Sequence, residues 1–163
     1  MSLSKRHRLK DKEVKEVLKK ASATLRNIDH SVLSKGVEVA KIAPPGEVYL
    51  IDGAPMFLGL GEEVFPTLLN KVLEKLPTLT VDRGAVPHLC NGADLMAPGI
   101  VKITGEFQAG EVVVVVDAIY SKPIALVKTL YSSREISEKR QGKVAHNIHY
   151  VGDAFWEAFK QTR

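Results

Sequence analysis

The sequence predicts an α+β chain, with a small α/β domain over residues 1–76 followed by a small β-barrel over residues 77–163. Three observations predict it. An apolar stripe at helical spacing near the N-terminus gives way to extended runs rich in β-branched residues. From residue 78 the texture changes to short strands separated by glycines, as in small barrels. The composition is that of packed protein: 45% of the 163 residues are hydrophobic, while 26% charge with only 12 Gly and 8 Pro excludes collagenous and disordered chains. The longest apolar run, the five valines Val112 to Val116, falls far short of the roughly 20 residues of a spanning helix. One cysteine cannot make an internal disulfide and no secretory leader is visible, so a cytoplasmic protein with no membrane partner is expected.

The elements follow in order. Val14, Val17, Leu18, Ala21, Leu25 and Ile28 make one helix face, with Asp11 as the expected N-cap and Lys12, Lys15, Lys19 and Lys20 toward water. VEVAKIA at 37–43 and GEVYLIDGAPMFLGL at 46–60 read as strands, broken by Pro44-Pro45-Gly46. Asp52-Gly53 marks a hairpin, because a type I′ turn needs positive φ at both central residues. Pro66 is expected to open a short helix, with Leu68, Leu69, Val72 and Leu73 inward, that ends near Lys75 ahead of Pro77. LTVD, GIVKIT, EVVVVVD, PIALVKTLY and NIHYV then read as barrel strands. Between the first two, GAVPHLCNGADLMAPG has three glycines and no strand alternation. It is expected to cross the barrel mouth as a helical turn, where glycine lets another backbone or a ligand phosphate come close.

The net charge of +4 is unevenly spread. Residues 1–26 hold nine Lys/Arg against three Asp/Glu, whereas the rest of the chain holds 14 against 16. A local basic surplus beside a near-neutral body attracts a polyanion by counterion release, although a solvated face is the plainer reading. Lys5, Arg6, Arg8, Lys12, Lys15 and Lys19 are the candidate phosphate or ribosome contacts.

VDRGAVPHLCNGADLMAPGI, residues 81–100, resembles the signature of the PUA domain, named for pseudouridine synthases and archaeosine transglycosylases. The matching positions are Asp82, Gly84-Ala85, an apolar turn, Gly92-Ala93, and Pro98-Gly99 leading into a strand. NIHYVGDAFWEAF at 147–159 is similar to the closing segment of the family's translation-associated branch, that of the malignant T-cell-amplified-sequence protein and the ligatin-type factors. FPTLLNKVL at 65–73 resembles the helix ahead of the PUA domain in that branch. The resemblance covers most of residues 46–160, and a two-part chain without a catalytic domain is similar to the archaeal members. It implies a C-terminal PUA pseudo-β-barrel preceded by a small α/β pre-PUA domain. It implies RNA as partner, tRNA or rRNA, with docking on the small ribosomal subunit and the tRNA CCA end near the PUA face, in initiation or in tRNA release and recycling. The alternative is an accessory that presents tRNA or rRNA to a separate modification enzyme.

The resemblance also implies an RNA face. Arg83, in the first Gly-Ala turn, is placed for a charge-assisted bond to phosphate, or is simply a solvated turn residue. Gly84, Ala85, Gly92 and Ala93 either admit RNA backbone or only serve tight turns. His88, Met96, Pro98 and Lys102 complete the segment. Arg140 and Lys143 belong, with Arg134 and Lys139, to a second basic patch on an expected loop, tempered by Glu135 and Glu138. His149 and Tyr150 either pack beside the barrel or stack on a base. His88, Cys90, His146 and His149 raise a zinc site or a Cys-His nucleophile, yet one cysteine is a poor start for structural zinc. No phosphate loop, dinucleotide fingerprint or nucleophile elbow occurs. No catalytic residue, metal or cofactor is therefore expected, and a hydrolase using Cys90 with His88 stands as the third reading.

Overall fold

A computed structural model describes residues 3–25, 36–42 and 46–162. Arg26, Ile28 and the Pro44-Pro45 break lie outside the described residues. The chain divides into two compact units, Met1–Val72 with Ala154–Arg163, and Leu73–Asp153. The closing segment, given to the barrel domain on sequence, thus groups with the N-terminal unit.

The N-terminal unit contains β1 (His7–Arg8), α1 (Asp11–Thr24), β2 (Val37–Ile42), β3 (Gly46–Ile51), β4 (Ala54–Leu60) and β5 (Glu63–Pro66). Its strands form one antiparallel sheet in the order β1-β2-β3-β4-β5. Asp52 and Gly53 have φ of +53° and +77°, which is the tight hairpin their sequence demands. Helix α1 buries Val17 and Ala21 and packs against β5, where the Thr24 hydroxyl donates to the Val64 carbonyl at 2.5 Å. The helix starts one residue earlier than expected. Lys10 is the N-cap, its N–H donating to the Glu13 carboxylate at 3.0 Å, and Asp11 lies in the first turn where the helix dipole favours a negative charge.

Pro66 opens no helix. It ends β5 opposite Phe57, and the helical turn that follows is a 3-10 turn at Lys71–Lys75. A proline suits a strand end as well as a first helical turn. Thr67 decides between them: its N–H donates to the Met56 carbonyl at 3.0 Å and its hydroxyl to the Pro55 carbonyl at 2.8 Å, which prolongs the extended pairing. The basic arm is also ordered. Ser4 N–H donates to Lys41 and Leu9 N–H to Val37, at 2.9 and 2.8 Å, so the arm runs along β2. The closing helix Ala154–Phe159 buries Phe155, Ala158 and Phe159. The Phe155 ring occupies the space that a side chain at position 46 would need, since a Cβ there would lie 2.8 Å from Cζ.

The second unit contains β6 (Thr78–Val81), α2 (Val86–Leu89), β7 (Leu95–Met96), β8 (Ile100–Thr104), β9 (Val112–Asp117), β10 (Pro123–Thr129), α3 (Ser133–Glu138) and β11 (Lys143–Tyr150). The sheet order is β7-β11-β10-β9-β6-β8, parallel between β6 and β9 and antiparallel elsewhere. The two edge strands, β7 and β8, are separated in sequence only by the 3-10 turn Ala97–Gly99, so the sheet has to curl on itself. This is the expected pseudo-barrel. Val112 to Val116 are all buried because β9 lies inside the sheet with both faces covered. Residues 133–138 form a helix where a loop was expected. Ser132 and Glu135 exchange side-chain and backbone hydrogen bonds at 3.2 Å, a capping box spelled by Ser132-Ser133-Arg134-Glu135.

Candidate nucleic-acid interface

The segment between β6 and β8 folds over the end of the second unit, and Asp82 organises it. Its N–H donates to the Gly99 carbonyl at 2.9 Å, while its carboxylate accepts the Ala85 N–H at 2.9 Å. One residue thus ties the two ends of the signature together and starts the single turn α2. Pro87 pre-sets the turn and Leu89 anchors it in the core. At Gly99 a Cβ would approach the Ala85 Cβ to 2.9 Å, so the two strands of the segment meet too closely for any larger residue. Gly92 has φ of +91°, and the Tyr150 hydroxyl lies 3.2 Å from where its Cβ would be. Gly84 has neither constraint: its nearest neighbour is the Asp82 carboxylate at 3.5 Å, an ordinary contact.

These turns enclose an open groove of about 480 Å³. Gly84, Ala85, His88, Ala93, Met96 and Pro98, all named from the sequence, line it together with Asp82 and Asp94. Arg83 is exposed beside it. Met96 is 48% exposed and gives the groove an apolar side chain. Lys102 is exposed on edge strand β8, and Arg140 is exposed after α3, both outside the groove lining.

Three expectations change. His149 is fully buried, with Nδ1 2.7 Å from the Asp153 carboxylate, so it cannot stack on a base. The same carboxylate accepts the Tyr150 N–H at 3.0 Å, which makes the pair a structural clasp at the end of β11. Lys143 is the first residue of β11, opposite Met96, and is ion-paired with Asp94 at 3.0 Å rather than free on a loop. Lys139 lies 4.0 Å over the Tyr131 ring, a cation–π contact that holds a second ammonium of the expected basic patch against the protein while leaving it charged.

Asp94 and Asn147 are the site residues the sequence reading missed. Asn147 N–H donates to the Asp94 carboxylate at 2.8 Å, and the Asn147 amide donates to the Leu89 and Ala93 carbonyls at 3.0 Å each. Strand β11 therefore holds the groove wall by one side chain. The Asn147 N–H, ahead of the Lys143 ammonium, keeps the Asp94 carboxyl below the usual carboxylate range. A partial signal was available: Ala145 and Asn147 alternate on one strand face, so a polar residue follows a buried one and needs partners, whereas the bulge opposite Leu126 and Val127 takes His149 out of that alternation.

Burial pushes the Cys90 thiol up, which keeps it protonated at neutral pH and a poor nucleophile. Among the described residues no group of three or more His, Cys, Asp and Glu could hold a metal ion. No described helix is long and apolar enough to cross a membrane. In the N-terminal unit, Lys5, Arg6, Lys12, Lys15 and Lys19 are exposed. Arg8 is exposed too, but its guanidinium lies 2.9 Å from where a Cβ on Gly36 would be, so it also covers that glycine.

Comparison with known proteins gives a consistent picture. The chain is 39% identical to an uncharacterized protein of Methanocaldococcus jannaschii, over 96% of this chain and 98% of that one. Residues 77–151, which contain the whole groove, match the PUA domain. The chain belongs to the PUA-domain family. Ahead of the PUA domain, residues 5–76 match a domain of unknown function, DUF1947, so a recognisable family extends well before residue 46, where the sequence resemblance began. The chain is 28% identical to translation machinery-associated protein 20 of Saccharomyces cerevisiae, over 79% of this chain and 76% of that protein. Among solved structures it is similar to a hypothetical protein of the hyperthermophilic archaeon Pyrococcus horikoshii, with 31% identity, a TM-score of 0.77, and 95% and 99% of the two chains covered. The PUA fold and its translation-associated, archaeal branch are thus as the signature implied.

Proposed function

We propose that this protein binds RNA as part of the translation machinery, without catalysing a reaction. The PUA groove would seat the CCA end of a tRNA, and the exposed cations of the N-terminal unit would contact phosphates of the small ribosomal subunit. The observation that carries this reading is the groove. The small residues Gly84, Ala85, Ala93, Pro98 and Gly99 in its lining leave room for a sugar-phosphate chain beside His88 and Met96, and Arg83, exposed between the lining residues Asp82 and Gly84, adds a cation. The name of the yeast relative supports the translational setting. The raised Cys90 thiol speaks against the hydrolase reading.

The test compares single charge removals. Arg83→Ala should weaken tRNA binding by about 1.5–3 kcal/mol, the range for a hydrogen bond to a charged group. The loss should be larger for tRNA with an intact CCA end than for trimmed tRNA. Lys71→Ala serves as control, because Lys71 is exposed and lies in the other unit. Lys160 is a poorer control, since it pairs with Glu157 at 3.0 Å and its removal would also free a carboxylate. Equal losses at both positions, or indifference to the CCA end, would reduce the reading to diffuse electrostatics.

A further inference from the structure

Outside the groove, the largest unexplained exposure in the PUA unit is at the turn between β9 and β10. Tyr120 is 74% and Ile119 58% exposed, the most exposed large hydrophobic residues described. The turn is firmly built. The Asp117 carboxylate accepts the Tyr120 N–H at 2.7 Å, the Asp117 carbonyl accepts the Ser121 N–H at 3.0 Å, and the Asp117 N–H donates to Lys122 at 3.2 Å. Ser121 sits at φ of +55°, an unfavourable conformation for serine that the surrounding hydrogen bonds enforce. A turn held by three hydrogen bonds and a positive φ thus presents an aromatic ring to water, an exposure that invites a functional explanation.

Its position gives one. Strands β6 and β9 run parallel and end side by side, Val81 against Asp117. From that point Ala118 N–H donates to the Val81 carbonyl at 3.0 Å, and the next residue, Asp82, begins the groove. The Tyr120 turn and the groove therefore spring from the same end of the same sheet. The charge there is mixed: the Asp82 and Asp117 carboxylates stay anionic while they accept backbone N–H groups, and Arg83, Lys102 and Lys122 are exposed and make no ion pair among the described residues. An exposed aromatic ring with Lys122 two residues on, and with Arg83 on the segment that leaves the same end of the sheet, matches a nucleotide chain, whose bases stack and whose phosphates are anionic. A hydrophobic protein partner would not need the cations.

We propose that Tyr120 is a stacking platform for a base of single-stranded RNA that continues out of the groove, with Lys122 beside it for the adjoining phosphate. This rests on the RNA-binding reading above and adds a second contact point to it. The probe is a short RNA hairpin with a single-stranded 3′ tail, used intact and with an abasic nucleotide at each tail position in turn. Tyr120→Ala should weaken binding of the intact RNA about five- to a hundredfold, the range for loss of one base stack. Tyr120→Phe should retain binding, and Tyr120→Leu, apolar but without a ring, should lose it. One abasic position should weaken the wild type by a similar factor and have no further effect in Tyr120→Ala. An unchanged melting temperature, expected for so exposed a residue, separates this from misfolding. If the wild type binds and Arg83→Ala weakens it while Tyr120→Ala does not, the platform is overturned and the patch belongs to a protein partner. If the wild type binds no RNA at any low salt concentration, the underlying reading falls as well.

Discussion

Gly84 and Gly92 belong to one signature, yet they face opposite demands. Alanine at 92 must adopt φ near +91° and press on the Tyr150 hydroxyl, whereas alanine at 84 meets only an ordinary contact with Asp82. Gly92→Ala should cost about 1–3 kcal/mol of unfolding free energy. Gly84→Ala should stay within about 0.5 kcal/mol, and urea titration of both variants checks the contrast. An effect of Gly84→Ala on RNA binding at unchanged stability would then report on the groove directly. Asp94 makes a second residue-level test. Its carboxyl is held low first by the Asn147 N–H and then by Lys143. A group depressed in the folded state contributes stability that is present above its unfolded pKa, about 3.9, and lost as the pH falls through the lower folded value. NMR titration should place the Asp94 midpoint below that reference. Lys143→Met should raise it only part of the way, because the backbone donor remains. Neither behaviour was legible in the sequence, since a glycine's φ and a carboxylate's partners depend on which strand arrives opposite. The glycine spacing itself was legible, because tight turns tolerate so few residues.

At the scale of elements, strong local signals were readable and contested ones were not. Asp52-Gly53 forms its hairpin because no competing interaction offers those two residues a better conformation. The run at 112–116 is a buried strand because β-branched residues suit little else. Pro66, by contrast, is compatible with two local structures, and the choice fell to Thr67 and its partners on β4. The N-terminal arm shows the same dependence on context. Nothing in SKRHRLK alternates like a strand, yet it lies along β2 and buries Leu9. Deleting residues 1–10 would therefore expose the edge of β2 as well as remove charge. Truncation should lower the melting temperature, whereas replacing Lys5, Arg6 and Lys12 by glutamine should leave it unchanged. The glutamine variant should flatten the dependence of log affinity on log salt by about 0.7 to 0.9 for each phosphate that it no longer neutralises. A salt slope identical to wild type would remove the N-terminal unit from the RNA interface.

For the whole molecule, the decisive feature is that the chain leaves the N-terminal unit, builds the PUA unit and then returns. The return is carried by the closing helix, whose Phe155 ring fills the hollow left by Gly46 at the start of β3. Stability of the first unit thus depends on residues more than 100 positions away in the sequence. Phe155→Ala removes a buried ring and should cost about 3–5 kcal/mol. If the unit is one cooperative body, that loss should appear throughout β3 and β4 and not only beside the cavity. Amide hydrogen exchange resolves this by segment: protection in residues 46–60 should fall in Phe155→Ala, while protection in β9 and β10 stays near wild type. Gly46→Ala approaches the same hollow from the opposite wall, by overfilling it, and should reproduce the pattern. Equal loss of protection in β9 and β10 would instead show that the PUA unit draws its stability from the returning helix. The RNA groove would then be lost in Phe155→Ala as well, an outcome that tRNA binding by the same variant would register.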